Sequence, residues 1–299
     1  MKPQTQQIVA TLANITDDLY YSLVGDEPYV TVCWEVEEKG EFSVENLLLD
    51  NKALTPFEPE YFLHQIQRTQ SQPVIEHYQN LIALLQANLS ELTIYSYGFP
   101  QLPEDLFNGD LPIDADELEP LLIPLLIGLS PAGEWMGLAP KQKLGCKSAA
   151  RFAIGDLASV GETTTALVEQ IQSLTCQIEH KLSTRSWKLK NSWEVVLTAS
   201  RTSIIEKLLS QAGFLSIEEI NKFLRGIEDE IEEFAEDEEL PTDLQQKIEL
   251  REYFQSQLLN SRVYNLDYNI SGESFTIHYA LGQTEDGDWM GVVTDSFTF

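Results

Sequence analysis

Residues that could catalyse a reaction or bind a metal are few and widely spaced in this sequence. Four histidines are present, none in an HxxxH or HExxH pattern: His64, His77, His180 and His278. Isolated histidines are typical of structural or exposed positions rather than metal ligands. Ser130, in GLSPAG, departs from the G-x-S-x-G pattern of hydrolases, and Cys33 beside Trp34 is typical of a packed thiol. We therefore predict a protein that is not an enzyme and needs no metal or cofactor.

Carboxylates are the charged groups that the chain has in excess. The 299 residues include 48 acidic and 19 basic side chains, which gives a net charge of −29, and both halves share the excess. Phosphate contacts need clustered lysine and arginine, so direct binding to nucleic acid or to anionic membranes is disfavoured. The charge favours a protein partner with a basic surface, and it would serve solubility equally well.

Cysteine usage and the N-terminus predict a cytoplasmic location. Cys33, Cys146 and Cys176 lie far apart without a CxxC pattern, which is typical of a reducing compartment. The first residues, MKPQTQQ, are polar and do not resemble a signal peptide. The apolar run at residues 121–129 contains Pro124 and is too short to span a bilayer.

One hairpin pattern occurs twice. Residues 127–139 read IGLSPAGEWMGLA, and residues 281–293, which lie 154 positions later, read LGQTEDGDWMGVV. Each consists of an apolar run, a glycine-containing turn and a second strand with Trp-Met-Gly. The opening helix and Trp34-Glu35-Val36 similarly fall on a second helix and Trp193-Glu194-Val195 at a shift of 159. Matching blocks in the same order indicate an internal duplication.

The duplication predicts an α+β protein with two domains. Residues 1–145 form the first copy, 146–161 a linker and 162–299 a divergent second copy. Each copy is predicted to contain a helix, a strand, further helices and a three-stranded antiparallel meander. Thr55-Pro56 predicts the start of a helix that ends near Gln70, and Ser216 predicts the N-cap of a helix that ends at Glu239. Its acidic end, residues 228–239, is typical of a solvated helix end or of a docking site for a cationic partner.

The first copy resembles the nuclease A inhibitor family of cyanobacteria and related bacteria, over about residues 8–143. The matching residues are Asp17 and Leu19 in the opening helix, Pro28 in the turn, Trp34-Glu35 in the strand, and Pro131-Ala132-Gly133 with Gly137 in the hairpin. The second copy resembles the family through the first. The resemblance implies two tandem copies of a three-layer α/β/α sandwich with a mainly antiparallel sheet, which block a metal-dependent, nonspecific nuclease.

The resemblance also implies where a partner would bind. In the family, a C-terminal threonine reaches the catalytic magnesium of the nuclease, and an acidic residue before the first strand and an Asp-Trp pair contact the enzyme. Here Val24 stands at the turn position, the threonine is penultimate, and the middle loop TQSQPVIEHY has no Asp-Trp pair. The candidate partner-binding residues are Asp26, Glu27, Glu285, Asp286, Asp288, Thr298 and Phe299.

Two other hypotheses follow from the same sequence. A ligand-binding domain with its site between the two copies would have a polar pocket there, and a filled apolar interface would count against it. A hydrolase would need an acid, a base and a nucleophile brought together by the fold, because the sequence alone supplies no such pattern.

Overall fold

The computed structural model describes residues 2–21, 28–99, 123–142, 153–154, 157, 159–176, 178, 189–224, 227, 231–232, 240–270 and 273–298. The first half contains α1 (Pro3–Ile15), β1 (Val30–Trp34), α2 (Val36–Lys39), α3 (Val44–Asp50), β2 (Leu54–Phe57), α4 (Pro59–Thr69), α5 (Gln72–Asn88), β3 (Ser90–Tyr97), β4 (Ile123–Leu129) and β5 (Trp135–Gln142). In α1, Ile8, Leu12 and Ile15 repeat at helical spacing and are buried, so burial of one apolar face stabilises the helix.

The second half contains β6 (Ala153–Ile154), α6 (Glu162–Thr175), β7 (Leu189–Thr198), α7 (Arg201–Ala212), β8 (Leu215–Glu219), a 3-10 turn (Ile220–Lys222), α8 (Thr242–Gln257), β9 (Leu259–Ile270), β10 (Glu273–Gln283) and β11 (Trp289–Thr298). Ser200 caps the start of α7 by accepting a hydrogen bond from the backbone N–H of Thr202. Gly213, with φ of 85°, ends the same helix in the left-handed conformation that favours glycine.

The strands form two sheets. The first sheet has the order β1-β11-β10-β9-β8, and the second has the order β2-β3-β4-β5-β7-β6. The described pairings are antiparallel apart from the short parallel pairing of β6 with β7. Helices and antiparallel sheets therefore make up the structure, which confirms the predicted α+β class.

Each sheet takes strands from both halves of the chain. β1 pairs with β11, and β7 pairs with β5. The chain changes sheets twice, between β1 and β2 and between β7 and β8, with α3 and α7 on these two connections. The sequence predicts one meander in each half, and the structure adds to each meander a strand from the other half. The physical reason is that α3 and α7 pack in one core between the sheets, so each helix can lead the chain into either sheet.

Within the described ranges, buried apolar side chains form three hydrophobic cores that hold the layers together. The central core lies between the sheets and contains α3, α7 and the inner faces of both sheets, with Tyr97 stacked on Tyr268 at 5.7 Å between ring centroids. One outer core joins the second sheet to α4, α5 and α6, and the other joins the first sheet to α1 and α8. Buried apolar side chains fill the central core, and this counts against a ligand site between the two sheets.

The pairings in one sheet correspond to those in the other. In the second sheet, Thr55 lies opposite Ser96, Ser96 opposite Pro124, and Leu126 opposite Leu138. The equivalent pairs in the first sheet are Ser216 with Asn265, Asn265 with His278, and Ala280 with Val292. This agreement of register supports the internal repeat that the sequence predicts, because the register of a strand pair fixes which side chains face each core.

The tryptophans show where the sequence alignment of the repeat differs from the structure. Trp289 and Trp135, which the repeat equates, are both half-buried against the central core. Trp34 lies opposite Trp289, whereas Thr198 lies opposite Trp135. Trp193, the predicted counterpart of Trp34, instead lies opposite Pro140 and is buried in the outer core of the second sheet. The match of Trp34 with Trp193 is therefore wrong in register.

Two short edge strands replace predicted helix starts. Thr55 and Pro56 lie in β2, and the following helix begins later, with Pro59 in its first turn. Ser216 lies in β8, which pairs with β9, rather than at the start of a helix. Proline is tolerated in β2 because this strand forms an edge of its sheet. Both segments gain backbone hydrogen bonds from an existing strand, which outweighs the local helix signals.

An ion pair joins the two halves inside the molecule. Arg201 at the start of α7 donates from its two terminal nitrogens to the two oxygens of Glu45 on α3, at 2.6 and 2.7 Å. Tyr95 on β3 donates to Glu45 at 2.6 Å and accepts from Arg201 at 3.0 Å. The carboxylate is only 13% exposed, so the bidentate geometry compensates for much of its lost hydration.

The exchange of strands can be tested with a disulfide. Cys33 lies opposite Met290 in β11, so Met290→Cys in a chain with Cys146→Ser and Cys176→Ser should form a disulfide with Cys33 under mild oxidation. Met136 is the repeat counterpart of Met290, and Met136→Cys should leave Cys33 reduced. Mass spectrometry of peptides from the non-reduced protein measures both outcomes. A Cys33 disulfide with position 136 and none with position 290 would contradict the exchange.

We expect Arg201→Met to lower the free energy of unfolding by about 2 kcal/mol, because it leaves a partly buried carboxylate without its cation. The double variant Glu45→Gln/Arg201→Met should cost less than the single one, since no uncompensated charge is left. Urea unfolding followed by circular dichroism measures these values. Lys39→Met, which breaks the exposed pair with Asp50, is the control and should cost less than about 1 kcal/mol. Equal costs for the single and double variants would contradict this account.

Candidate functional site

The predicted partner-binding residues fall in different environments. Asp26, Glu27 and Phe299 lie outside the described residues. Thr298 is the last residue of β11, where it pairs with Ser274 of β10. Three further candidates, Glu285, Asp286 and Asp288, lie in the turn between β10 and β11. Among the places where candidate residues lie, this turn is the one whose side chains the structure describes in full.

The turn between β10 and β11 presents two exposed carboxylates. The backbone N–H of Thr284 donates to the carbonyl of Asp288 at 2.7 Å, and that of Gly287 donates to the carbonyl of Thr284 at 3.0 Å. Gly287 has φ of +90°, which a side chain would strain. Glu285 and Asp286 occupy the tip of this closed turn and are exposed. The hydrogen-bonded backbone of the turn therefore holds both residues at its tip.

Asp288 is buried, which corrects its prediction as a partner-facing residue. Its side chain is 1% exposed and accepts hydrogen bonds from the Thr5 hydroxyl and from the backbone N–H of Val36, both at 3.0 Å. Lys2 lies 3.9 Å away. The carboxylate thus fastens α1 and the start of α2 to the hairpin, and the physical reason for its burial is that it satisfies donors from both elements.

The corresponding turn, between β4 and β5, also contains a buried carboxylate that accepts hydrogen bonds, but the tip of this turn carries no charge. Glu134 is buried and accepts from Thr164 at 3.0 Å, from the hydroxyl of Ser130 and from the backbone of Gly161 at 3.3 Å. Burial alone would raise the pKa of Glu134, but these hydrogen bonds outweigh it and lower the pKa. The exposed tip reads Pro131-Ala132, so of these two turns the one between β10 and β11 alone presents exposed carboxylates.

The contact between Asp288 and Val36 brings two more carboxylates to the acidic turn. Glu37 and Glu38 on α2 are exposed, and Lys2 lies 3.3 Å from Glu37. The hydrogen bond to Glu37 is the main cause that raises the pKa of Lys2, and Asp286 adds to it. We call Glu37, Glu38, Glu285 and Asp286 the acidic tip surface. Sequence reasoning missed Glu37 and Glu38, although the acidic run EVEEKG directly after a strand was a signal for them.

A second feature, which we call the outer cleft, opens on the outer face of the first sheet. Its volume is about 570 Å³, and its lining includes Tyr21, Glu218, Phe223, Lys247, Asp267 and His278. Burial raises the pKa of Asp267, and a hydrogen bond from Thr276 opposes this shift. Sequence reasoning treated His278 only as an isolated histidine. The signal was the alternation of polar with apolar residues in β9 and β10, which places Asn265, Asp267, Thr276 and His278 on one face.

His278 is held as a neutral ring in this cleft. Its Nδ1 lies 2.8 Å from the side-chain oxygen of Asn265, which can only accept, so Nδ1 carries the proton. Its Nε2 lies 2.8 Å from the hydroxyl of Ser296 and accepts from it. Burial lowers the pKa of His278 to about 4, which agrees with this neutral form.

Among the described residues, no three or more His, Cys, Asp or Glu side chains are grouped so that they could hold a metal ion. Every helix within the described ranges is too short or too polar to cross a membrane.

The fold is α+β, and the turn between β10 and β11 presents exposed carboxylates. Residues 6–103, about one third of the chain, match the model of the family described as Nuclease A inhibitor-like protein. The family resemblance predicted from the sequence is therefore confirmed for this segment, which runs from α1 through β3 and includes Glu37 and Glu38. No curated protein and no solved structure matches the chain.

The neutral His278 predicts a loss of stability in mild acid. In the unfolded chain the ring binds a proton below about pH 6.5, whereas in the folded chain it does so only near pH 4. The contribution of the neutral ring to the free energy of unfolding is therefore lost as the pH falls from about 6.5 to about 4. Lowering the pH from 7 to 5 should therefore cost on the order of 1–2 kcal/mol through this side chain. Urea unfolding at both pH values should show a smaller difference for His278→Gln than for the wild type. His64→Gln, at an exposed position, should keep the wild-type difference, and equal behaviour of the two variants would contradict this role.

Proposed function

We propose that this chain is a non-enzymatic inhibitor that binds a metal-dependent, sugar-nonspecific nuclease through the acidic tip surface. The observation that carries the proposal is the match of residues 6–103 to the Nuclease A inhibitor-like family. A nuclease cleft must attract polyanionic nucleic acid, so it presents basic side chains and a divalent cation. Carboxylates on a folded protein satisfy both groups in place of phosphates.

The acidic tip surface suits this role better than the acidity of the chain as a whole. Glu285 and Asp286 lie at the tip of a tight turn, which can enter a concave site that a flat acidic surface could not. Glu37 and Glu38 come from within the segment that matches the family, and the hydrogen bond from Val36 to Asp288 holds them beside the turn. Rigid placement lowers the conformational entropy lost on binding.

The proposal includes an internal duplication in which only one hairpin binds. The copies are residues 1–145 and 162–299, joined by residues 146–161, and the corresponding registers of the two sheets support them. The tip of the β4–β5 hairpin reads Pro131-Ala132 and has no carboxylate for a metal or a basic cleft. The binding surface thus combines α2 of the first copy with the hairpin of the second. We place the protein in the cytoplasm, where its partner would be a protein with a basic surface.

Inhibition can be measured by the digestion of supercoiled plasmid with a magnesium-dependent, nonspecific endonuclease. We expect micromolar wild-type protein to slow digestion, and Glu285→Gln/Asp286→Asn to weaken the inhibition roughly tenfold or more, because two charge-assisted contacts are lost. Glu37→Gln/Glu38→Gln should weaken it in the same direction. The matched control is Glu58→Gln/Glu60→Gln at the start of α4, which removes the same charge from a helix packed on the other sheet and should inhibit as the wild type does.

Two further conditions separate binding from general acidity. Magnesium in large excess over the protein excludes simple chelation, and co-elution of protein and nuclease should be lost as salt is raised from about 50 to 500 mM, since exposed charges are screened. Unchanged digestion without co-elution would contradict the proposal. Equal weakening by the hairpin and control variants would show that net charge, rather than the acidic tip surface, is responsible.

A further inference from the structure

The strand β1 forms one edge of the first sheet. It pairs with β11 on one side, and no strand among the described residues pairs with its other side. The isolated bridge of Tyr20 with Pro28 lies two residues before β1 and does not include it. Because successive residues of a strand direct their backbone groups to opposite sides, alternate N–H and C=O groups of β1 point away from the sheet. Such a free edge is a template for a further strand.

The counterpart of β1 in the second sheet has this edge covered. Val32 of β1 and Val196 of β7 each lie opposite the glycine of a Trp-Met-Gly pattern, so the two valines occupy matching positions. At Val196, β6 pairs with β7 in parallel. Residues 193–198 of β7 are buried, whereas residues 30–33 of β1 are only half-buried. The second sheet therefore shows that an edge of this kind accepts a parallel strand beside the position of Val32.

A cavity of about 370 Å³, which we call the inner pocket, opens beside β1 between the first sheet and α3. Its lining includes the apolar side chains of Phe42, Leu47 and Leu281. The charges of Lys39 and Asp50 at this pocket are satisfied by their mutual ion pair at 2.6 Å. Apolar walls without an unpaired charge suit a long apolar side chain.

A second cavity, which we call the outer pocket, has a volume of about 300 Å³ and lies between β1 and the chain that follows α1. Asp17 and Asp18 line it and are exposed, and no lysine or arginine lines it. Within the described part of the chain, neither carboxylate has an ion-pair partner. Two adjacent carboxylates without a cation suit a lysine or arginine side chain.

The alternation of β1 assigns the two pockets to successive positions of an added strand. Val30 and Val32 pack against the central core, and Cys33 packs against the outer core, so Thr31 faces outward. A residue paired beside Thr31 would likewise face outward, towards Asp17 and Asp18. The next residue, beside Val32, would face the inner pocket.

We propose that the free edge of β1 binds an extended segment of a partner protein, in parallel orientation, in which a lysine or arginine directly precedes a long apolar residue. Pairing with the backbone of β1 provides affinity, and the two pockets provide sequence preference. This site uses the edge of the sheet rather than the acidic tip surface. It therefore goes beyond the proposed nuclease inhibition and does not depend on it.

The test uses the full chain and the labelled, end-capped peptide Val-Arg-Leu-Thr-Val. Its fluorescence anisotropy should rise as protein is added, with half-saturation below about 1 mM. Exchange of the arginine for glutamine should weaken binding roughly tenfold, because a charge-assisted contact is lost. Exchange of the leucine for serine should weaken it by a similar factor, because apolar burial is lost. N-methylation of the arginine and of the leucine should have unequal effects, since only one of two successive N–H groups can face β1.

Variants of the protein locate the outer pocket. Asp17→Asn/Asp18→Asn should weaken binding roughly tenfold, and asparagine tolerates the φ of 56° at position 18. The matched control, Glu58→Gln/Glu60→Gln, removes the same charge at the start of α4 and should bind the peptide as the wild type does. Equal weakening by both variants would show that net charge is responsible and would overturn the proposed site.

Cross-linking tests the register. In a chain with Cys146→Ser and Cys176→Ser, the peptide Val-Arg-Leu-Cys-Val should form a disulfide with Cys33 under mild oxidation, because its cysteine lies beside Cys33 on the neighbouring strand. The peptide Cys-Arg-Leu-Thr-Val keeps the arginine and leucine but places its cysteine beside Val30, and it should not cross-link. Mass spectrometry of the non-reduced protein measures both yields. The opposite order of the two yields would contradict a parallel strand in this register.

Three further results would overturn the proposal. The first is an unchanged anisotropy up to about 1 mM protein. The second is equally tight binding of Val-Leu-Arg-Thr-Val, which has the same composition and charge, because general attraction between opposite charges would then be sufficient. The third is a dimer in sedimentation analysis that excess peptide does not dissociate, because a second copy of the chain would then occupy the edge.

Discussion

The antiparallel pairing of β1 with β11 is the contact on which the rest of the arrangement depends. It carries α1 and α2 across to the C-terminal half, so the backbone of Val36 and the hydroxyl of Thr5 reach Asp288. Residues 252 positions apart in sequence thereby become neighbours. Without this pairing, Glu37 and Glu38 would not lie beside the acidic turn. The same exchange, made by β7 with β5, places Thr164 against Glu134.

Much of the fold could be predicted from hydrophobic periodicity, and the failures have physical causes. The long helix α5 and the three-stranded meanders have strong periodic patterns, and their existence was predicted. The strands β2 and β8 have four and five residues and carry helix-start signals, so pairing to a neighbouring strand decided their structure. The exchange of β1 and β7 could not be predicted, because either strand presents suitable apolar residues to either sheet.

The candidate site was predicted in part. The composition of the turn EDGD indicates exposed carboxylates, which is correct for Glu285 and Asp286. Asp288 belongs to the same pattern, but it returns to the strand and meets donors from α1 and α2, and a turn composition cannot show such distant partners. Likewise, the alternation that places Asn265 and His278 on one face is visible in sequence, whereas the cleft above them depends on Tyr21 and Phe223. Long-range packing, which local sequence patterns do not show, therefore determines both the burial of Asp288 and the formation of the cleft.

The exchange of strands has a consequence for biosynthesis. A chain that emerges from the ribosome delivers β1 long before β11, so the first sheet can be closed only after β11 has been translated. Until β7 follows, β5 also presents an unpaired edge. Nascent chains with open edges and partly covered apolar surface are prone to aggregate, and contacts of such long range form slowly. The interval before β11 closes the first sheet is therefore when chaperones have most to protect.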